Sequence, residues 1–590
     1  MLRLLVYLLQ QISVQAYAGL FSVVRDFITL KDKLMKIINT LLVAILVTAC
    51  SQKDVSIQKT SPAIADKIIV NAKAWTGNKE QPWTETIVIN DSRIIAVGDS
   101  SLVTQYQAKK IIDAQGKLVL PGFIDNHTHF IDGANSLVSV GTYGSKTSEE
   151  FLTTIKNFAA TAPKDEWITG GLWDHEAWGG ELPHKSWLDD ISTEIPIYLM
   201  RTDGHMAIVN SKVLALAGIN KDTPNPEGGL IEKDANGEPT GIIKDNALSL
   251  IRKMLPPATD EKNARTFDVG VQEALKNGVT QIHEMSENAE SWSNIAIFEK
   301  AKAEGRLKIR TYFLPHISMR HDLAEKIKKE GKGDAWLRFG GVKELVDGSL
   351  GSTTAWFYEP YTDAPETSGF ALMQMEDLKQ NIKEAHELGL QLAIHGIGDK
   401  TNDEILKIFD ELNVKGSRPR IEHAQHLSRG AINRFAELEV IPSMHPYHAI
   451  DDGRWAEGRI GAERIKTTYA FKSLLDAGAT LSFGSDWYVA PLNPLAGIYA
   501  AVMRRTLDGK NPMGWVPQEK ISVEDAVTAY TINNAYAGSQ ENELGTIEVG
   551  KLADLVILDK NIFEIAPEMI ITTKVTHTII GGEIMYKMAQ

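Results

Sequence analysis

The stretch Leu120-Pro121-Gly122-Phe123-Ile124-Asp125-Asn126-His127-Thr128-His129 sets the reading of the whole chain. An apolar run ends in His-x-His. Side chains alternate along a strand, so both imidazoles point the same way and can share one cation. Such pairs also occur as ordinary strand-end histidines, so the weight falls on what the rest of the chain adds.

Eight strand-like runs can be counted, at 118–126, 279–285, 307–314, 339–347, 391–397, 419–425, 439–445 and 480–486. Helical stretches separate them; Met375 to Leu388 and Ile432 to Leu438 carry apolar residues at three- and four-residue spacing. This alternation is the sequence form of a parallel α/β domain, and eight units predict a closed (β/α)8 TIM barrel rather than an open sheet. Three later runs end in metal-type ligands. His395 ends Leu392-Ala393-Ile394, His423 follows Arg420-Ile421-Glu422, and Asp486 ends Leu481-Ser482-Phe483-Gly484-Ser485. The carboxyl ends of barrel strands face one cleft, so these groups are expected to converge on His127 and His129.

Lys343, in Phe339-Gly340-Gly341-Val342-Lys343-Glu344-Leu345-Val346, is the odd member. Facing inward, its amine loses proton affinity by burial and can react with carbon dioxide, giving a carbamate able to bridge two cations. The alternative is an outward, snorkelling Lys, and Glu344 beside it leaves the facing open.

Runs rich in β-branched residues also flank the α/β region. Lys67–Val70, Thr86–Ile89 and Arg93–Gly98 near the start, with Asp554–Leu558 and Val575–Ile580 near the end, predict one small β domain built from both chain ends, at 66–117 and 541–590 around a barrel at 118–540. The span 133–265 is too long for one crossover and is expected to be an insertion or lid after the first barrel strand. It holds Trp167, Trp173, Trp178 and Trp187, which either grip an apolar or ring-bearing substituent or form a local core. His205, in Arg201-Thr202-Asp203-Gly204-His205, can donate a hydrogen bond to substrate or be a structural loop histidine. His445, with His448 nearby, is expected to line the pocket; Arg201 and Trp455 are further substrate-binding candidates, and Arg454, Arg464, His283 and Glu284 weaker ones.

The 590 residues carry 62 basic and 76 acidic groups, a net charge of −14, which argues against nucleic acid or an anionic membrane surface as the principal partner. Apolar content of 43% and charged content of 23% exclude disorder as the main state, and one Cys excludes a disulfide-stapled scaffold. That residue is Cys50, in Val47-Thr48-Ala49-Cys50, behind a basic region (Lys31, Lys33, Lys36) and the apolar run Ile37 to Val47. The run is too short to span roughly 30 Å of hydrocarbon. The segment resembles a bacterial lipoprotein signal. This implies a signal peptide at 35–49, lipidation of Cys50 and a tether over 50–65. Ser51 after the Cys favours the outer membrane, facing the periplasm of a Gram-negative cell. Met35 is then the expected start and residues 1–34 an upstream extension of the reading frame; the alternative is a real amphipathic or membrane segment at 2–24.

The order His-x-His, Lys, His, His, Asp on strands one, four, five, six and eight resembles the amidohydrolase superfamily. More narrowly, the chain is similar to amidohydrolase family 3, the branch that includes N-substituted formamide deformylases. The residues that carry this run from Pro121-Gly122-Phe123-Ile124-Asp125 through Thr202-Asp203-Gly204-His205, Asp347-Gly348-Ser349-Leu350-Gly351-Ser352, Ile394-His395-Gly396-Ile397-Gly398-Asp399, Arg420-Ile421-Glu422-His423-Ala424-Gln425 and Phe483-Gly484-Ser485-Asp486 to Gly550-Lys551-Leu552-Ala553-Asp554-Leu555. Glu344 stands where an apolar residue is usual, and Thr353 where Arg is common. The resemblance implies a metal-dependent barrel with a small β-sandwich. It implies that His127, His129 and Asp486 hold one ion, that His395 and His423 hold another, and that carboxylated Lys343 bridges them. Asp486 would also be general base for a metal-activated hydroxide that cleaves an amide or N-substituted formamide C–N bond. Zinc is the expected ion, with one or two per chain left open. A small-molecule substrate and a homo-oligomer are expected, with membrane contact through the lipid anchor alone. The competing readings are a mononuclear deaminase or esterase on the same barrel, and a lipoprotein that keeps the fold for binding only.

Overall fold

The computed structural model describes residues 62–162, 166–256, 258–286 and 291–589. Cys50, the signal segment 35–49, most of the tether and the extension 1–34 lie outside the described residues. Among the described residues, no helix is long and apolar enough to cross a membrane.

Eight parallel strands organise the α/β region: β1 (Phe123–Thr128), β2 (Val279–Met285), β3 (Arg310–Leu314), β4 (Gly341–Leu345), β5 (Gln391–Gly396), β6 (Arg420–His423), β7 (Ile441–Met444) and β8 (Ser482–Phe483). Their ladder is not the single closed barrel expected. It divides into a four-stranded sheet, in which Leu337–Phe339 precedes β3, β2 and β1, and a five-stranded sheet running β4 to β8. The division has two local causes. The fourth run breaks at Gly340, so Leu337–Phe339 pairs with β3 while β4 pairs with β5. The eighth strand lasts only two residues, because the chain turns at Gly484 toward a left-handed Asp486 (φ 58°). Isolated parallel bridges cross both seams, from His316 to Lys343 and from Thr128 to Trp487. Backbone bonds from Asp486 N–H to His127 O (2.8 Å) and from His129 N–H to Trp487 O (2.6 Å) hold the second seam at the site itself.

The first run, 118–126, is two strands rather than one. Leu118–Pro121 runs antiparallel to Leu555–Leu558 in a six-stranded sheet, and only after Gly122 does the chain enter β1. A side chain at Gly122 would meet the Thr280 side chain at 2.3 Å, so the crossing point is confined to glycine. The six-stranded sheet and a four-stranded sheet of Ala63–Val70, Thr86–Asn90, Arg93–Gly98 and Tyr106–Asp113 share a core containing Ile69, Ile87, Ile89, Val119, Leu555 and Ile579. Both ends of the described region thus build one two-sheet unit, in keeping with apolar alternation on its strands. Arg310 of β3 joins it to the α/β region through a two-pronged pair with Asp554 (2.6 and 2.9 Å), both side chains almost fully buried.

The insertion has architecture of its own, a six-stranded sheet from Val140 to Asp245 with apolar clusters on its two sides. Its tryptophans are core. Trp173 is fully buried and donates to Leu199 O (2.9 Å), while Trp167, Trp178 and Trp187 pack against the same clusters.

Candidate metal centre

His127 and His129 both direct Nε2 toward Asp486, at 3.5 and 3.1 Å from its Oδ1. A tetrahedral ion with bonds of about 2.0–2.1 Å has ligand–ligand edges of about 3.3 Å, so these three atoms suit one cation. Their orientation is fixed from behind. Nδ1 of His127 is 2.7 Å from Glu422 Oε2, and Nδ1 of His129 is 2.8 Å from the Met285 carbonyl. Each acceptor selects the Nδ1–H tautomer and leaves Nε2 as the lone-pair donor. Asp125 ties the two ligand-bearing turns together by accepting the backbone N–H groups of Ser485 (2.9 Å) and His127 (3.2 Å).

Strand alternation alone does not bring in the remaining groups. Arg420 and Glu422 lie two apart on β6 and share one face, with Arg420 Nη2 donating to Glu422, Ser443 Oγ and the Asn126 carbonyl. His423 would then point away. A left-handed backbone at His423 (φ 68°) and Ala424 (φ 42°) swings it back, and Asp486 is held the same way. Non-glycine residues adopt this conformation at a cost that surrounding structure must offset, and such residues gather at functional sites.

His395 lies beside His423, ring centroids 4.4 Å apart, and Lys343 lies below, fully buried, with Nζ 3.4 Å from His127 Nε2. The facing of β4 is therefore inward at Lys343. Glu344 is buried as well, against Nε2 of His316 (3.2 Å). Ligand atoms of three groups approach within 4.8 Å of one another: His127, His129 and Asp486; His127, His423 and His445; and His423, His448 and Asp486. Among the described residues, Nδ1 of His395, Nδ1 of His423, Nε2 of His448 and both ring nitrogens of His445 are buried without a hydrogen-bond partner. Buried imidazole nitrogens normally find partners. Burial, with Lys343 nearby, also holds His127 well below the usual histidine range, and burial with His395 beside it does so for His423. Neutral imidazoles with free lone pairs are what a divalent ion needs.

One cavity opens over this cluster, lined by His129, His423 and Asp486. Arg201, His205 and Trp455 line it too. Arg201 is saturated by Asp174 and Asp203, each at 2.8 Å, and His205 Nδ1 sits 2.7 Å from Asp245. His445 does not line the cavity but is fully buried behind it. Arg454 reaches the cavity, whereas Arg464 turns to the carbonyls of Glu359 and Pro360. His283 and Glu284 also stay out: His283 Nδ1 accepts from Arg420 (3.0 Å), and Glu284 accepts from Thr128 and the Phe130 N–H. Glu422 and Asp347 carry parts that the sequence reading missed. Asp347 accepts N–H groups of Trp356, Ile397 and Gly398 and the Thr401 hydroxyl, shaping the turn beyond His395. Asp451 and Asp452, on the cavity wall, were also missed.

The sequence pattern of the amidohydrolase family matches residues 110–586. Protein LONG AFTER FAR-RED 3 of Arabidopsis thaliana is 37% identical over 545 residues, covering 89% of this chain and 93% of its own length. N-substituted formamide deformylase of Arthrobacter pascens is 27% identical over 547 residues, covering 88% and 98%. Among solved structures, an uncharacterized metal-dependent hydrolase from Pyrococcus horikoshii OT3 superposes with a TM-score of 0.68 at 29% identity, covering 85% of this chain and 99% of the other.

Proposed function

Because this chain belongs to the amidohydrolase family and is a metal-dependent hydrolase of C–N bonds in a small-molecule substrate, we propose that it opens an amide or N-substituted formamide at a zinc centre of one or two ions. The observation that carries this reading is the meeting of His129, His423 and Asp486 at the floor of one cavity, with His127 buried against them and His395 and Lys343 alongside. The formamide class rests on the Arthrobacter relative. We take the eight strands as a (β/α)8 barrel whose two seams are bridged rather than fully paired; the parallel order β1 to β8 supports this.

A divalent ion held by these residues supplies Lewis acidity and lowers the proton affinity of water beside the substrate carbonyl. The chain's own groups do the rest. His127 and His129 would hold it through Nε2, kept in register by Glu422 and the Met285 carbonyl. Burial raises the Asp486 carboxyl, but the His129 ring against it, with His445 and His448 nearby, outweighs burial and holds the group below its usual range. Asp486 is therefore ionised at neutral pH, able to take a proton from water and return it to the leaving nitrogen. An ammonium at Lys343, 3.4 Å from a ligand nitrogen, would repel a cation, whereas a carbamate there reverses the sign and supplies a bridging ligand.

Metal content of the purified chain decides between one and two ions. Two ions, falling when Lys343→Ala is introduced, with turnover of N-substituted formamides, is the expected result. One ion unaffected by that change would remove the bridge, and no bound ion after supplying zinc and bicarbonate would overturn the catalytic reading.

We further propose export and lipid attachment through Cys50 to the outer membrane of a Gram-negative cell. Cys50→Ser should release the protein from the membrane fraction; unchanged membrane association would refute the anchor.

A further inference from the structure

His445 follows β7 and precedes the helix Pro446–Asp452, and no substrate-binding role fits it, because it is fully buried and does not reach the cavity. Its ring packs edge-on against His127 (4.8 Å between centroids) and His423 (4.6 Å), with His448 at 5.2 Å. Its ligand atom lies within 4.8 Å of those of His127 and His423. The ring is wholly enclosed, and among the described residues neither ring nitrogen meets full hydrogen-bond geometry, the Gly484 backbone being the polar group beside it.

An imidazole placed for packing alone would be a poor choice here. It buries two polar atoms with at most the Gly484 backbone beside one of them, which costs more than an apolar ring of similar size. Four imidazoles in contact, kept neutral by burial, are also a poor core unless something positive sits among them.

We propose that His445 is a metal ligand, closing with His127 and His423 a three-imidazole site behind the cavity floor. This rests on the metal-hydrolase reading above and extends it, since the ligand set implied by resemblance draws on strands one, four, five, six and eight and takes nothing from strand seven. Three neutral imidazoles are a donor set suited to zinc or cobalt. His127 then belongs to two overlapping ligand groups, and because its one free lone pair is at Nε2, only one ion can take it at a time.

The test reads the metal rather than turnover. The full chain carrying Cys50→Ser, so that no other thiol is present, is loaded with cobalt(II), alone and with His445→Ala or His445→Cys. Expected results are a loss of cobalt affinity of at least about tenfold in His445→Ala, and a thiolate-to-cobalt charge-transfer band in His445→Cys that the parent lacks. Trp83→Phe, an exposed change in the small two-sheet unit, should keep the parent's affinity and spectrum. Circular dichroism establishes that each variant is folded. A folded His445→Cys protein that binds cobalt without the band, or a His445→Ala protein with parental affinity, would overturn the proposal while leaving the hydrolase reading intact. Failure of the parent itself to bind cobalt or zinc would overturn both.

Discussion

Glu422 Oε2 stands 2.7 Å from Nδ1 of His127, and both side chains are wholly excluded from solvent. The same carboxylate is paired with the buried Arg420 guanidinium at 2.7 Å and accepts the Ser443 hydroxyl at 2.5 Å. One carboxylate thus orients a candidate ligand and balances an internal cation. Glu422→Gln keeps an acceptor for His127 but leaves Arg420 uncompensated. We expect about 10–100-fold weaker metal binding and a stability loss of about 3–5 kcal/mol, measured by chelator competition and by denaturant unfolding.

Asp486→Asn retains an oxygen facing His129 but cannot carry a proton. The rate on a formamide or amide substrate should fall by about 10²–10⁴ with metal content preserved. Elemental analysis beside steady-state kinetics separates the two roles: joint loss of ion and rate would mean that ligation, not proton transfer, was removed.

Burial raises the Asp452 carboxyl to about 7, against hydrogen bonds from Tyr469 (2.6 Å) and Gln425 (2.9 Å) that favour its ionised form. A carboxyl whose folded pKa exceeds its unfolded value of 3.8 contributes stability that is full below about pH 4 and is lost as pH rises through 7. Asp452→Asn keeps an oxygen to accept both bonds and removes the titration. Its melting temperature should exceed the parent's at pH 8, with the gap closing by pH 4; partial exposure to the cavity trims the size of the gap. Thermal melts across that range check the sign.

Asp554→Ala leaves the Arg310 guanidinium buried without its partner. A loss of about 3–5 kcal/mol is expected from denaturant titration. Since Asp554 lies in the small two-sheet unit, the effect should appear in stability before it appears in metal content.

Much of this was legible in the chain. His127 and His129 were expected to face one way, and both turn Nε2 toward Asp486; all eight runs begin or end within a few residues of the observed strands. Pro121-Gly122 carried the break in the first run, a turn dipeptide inside an apolar stretch that should have divided it. Orientation was harder. His423 and Asp486 reach the site through left-handed backbone, which a pattern of residue types does not encode for His or Asp. Glu422 stood in plain view in Arg420-Ile421-Glu422, two opposite charges two apart on a buried strand, and that spacing was the signal for its pairing. His445 was identified as a strand-end histidine but sent to the wrong side of the floor, because sequence fixes a strand's end and not the depth of the ring that follows.

The crossing at Gly122 bears on when the molecule can be finished. Leu118–Pro121, one residue upstream of the strand that holds His127 and leads into His129, is clamped by Leu555–Leu558, from more than four hundred positions later. Contacts so distant in sequence form slowly, after the intervening chain has been ordered. A ribosome that has delivered every candidate ligand through Asp486 has therefore not yet delivered the strand that steadies the first two. The centre's geometry matures last, and a nascent or clipped chain lacking those final strands would carry all of its histidines without the frame that aims them.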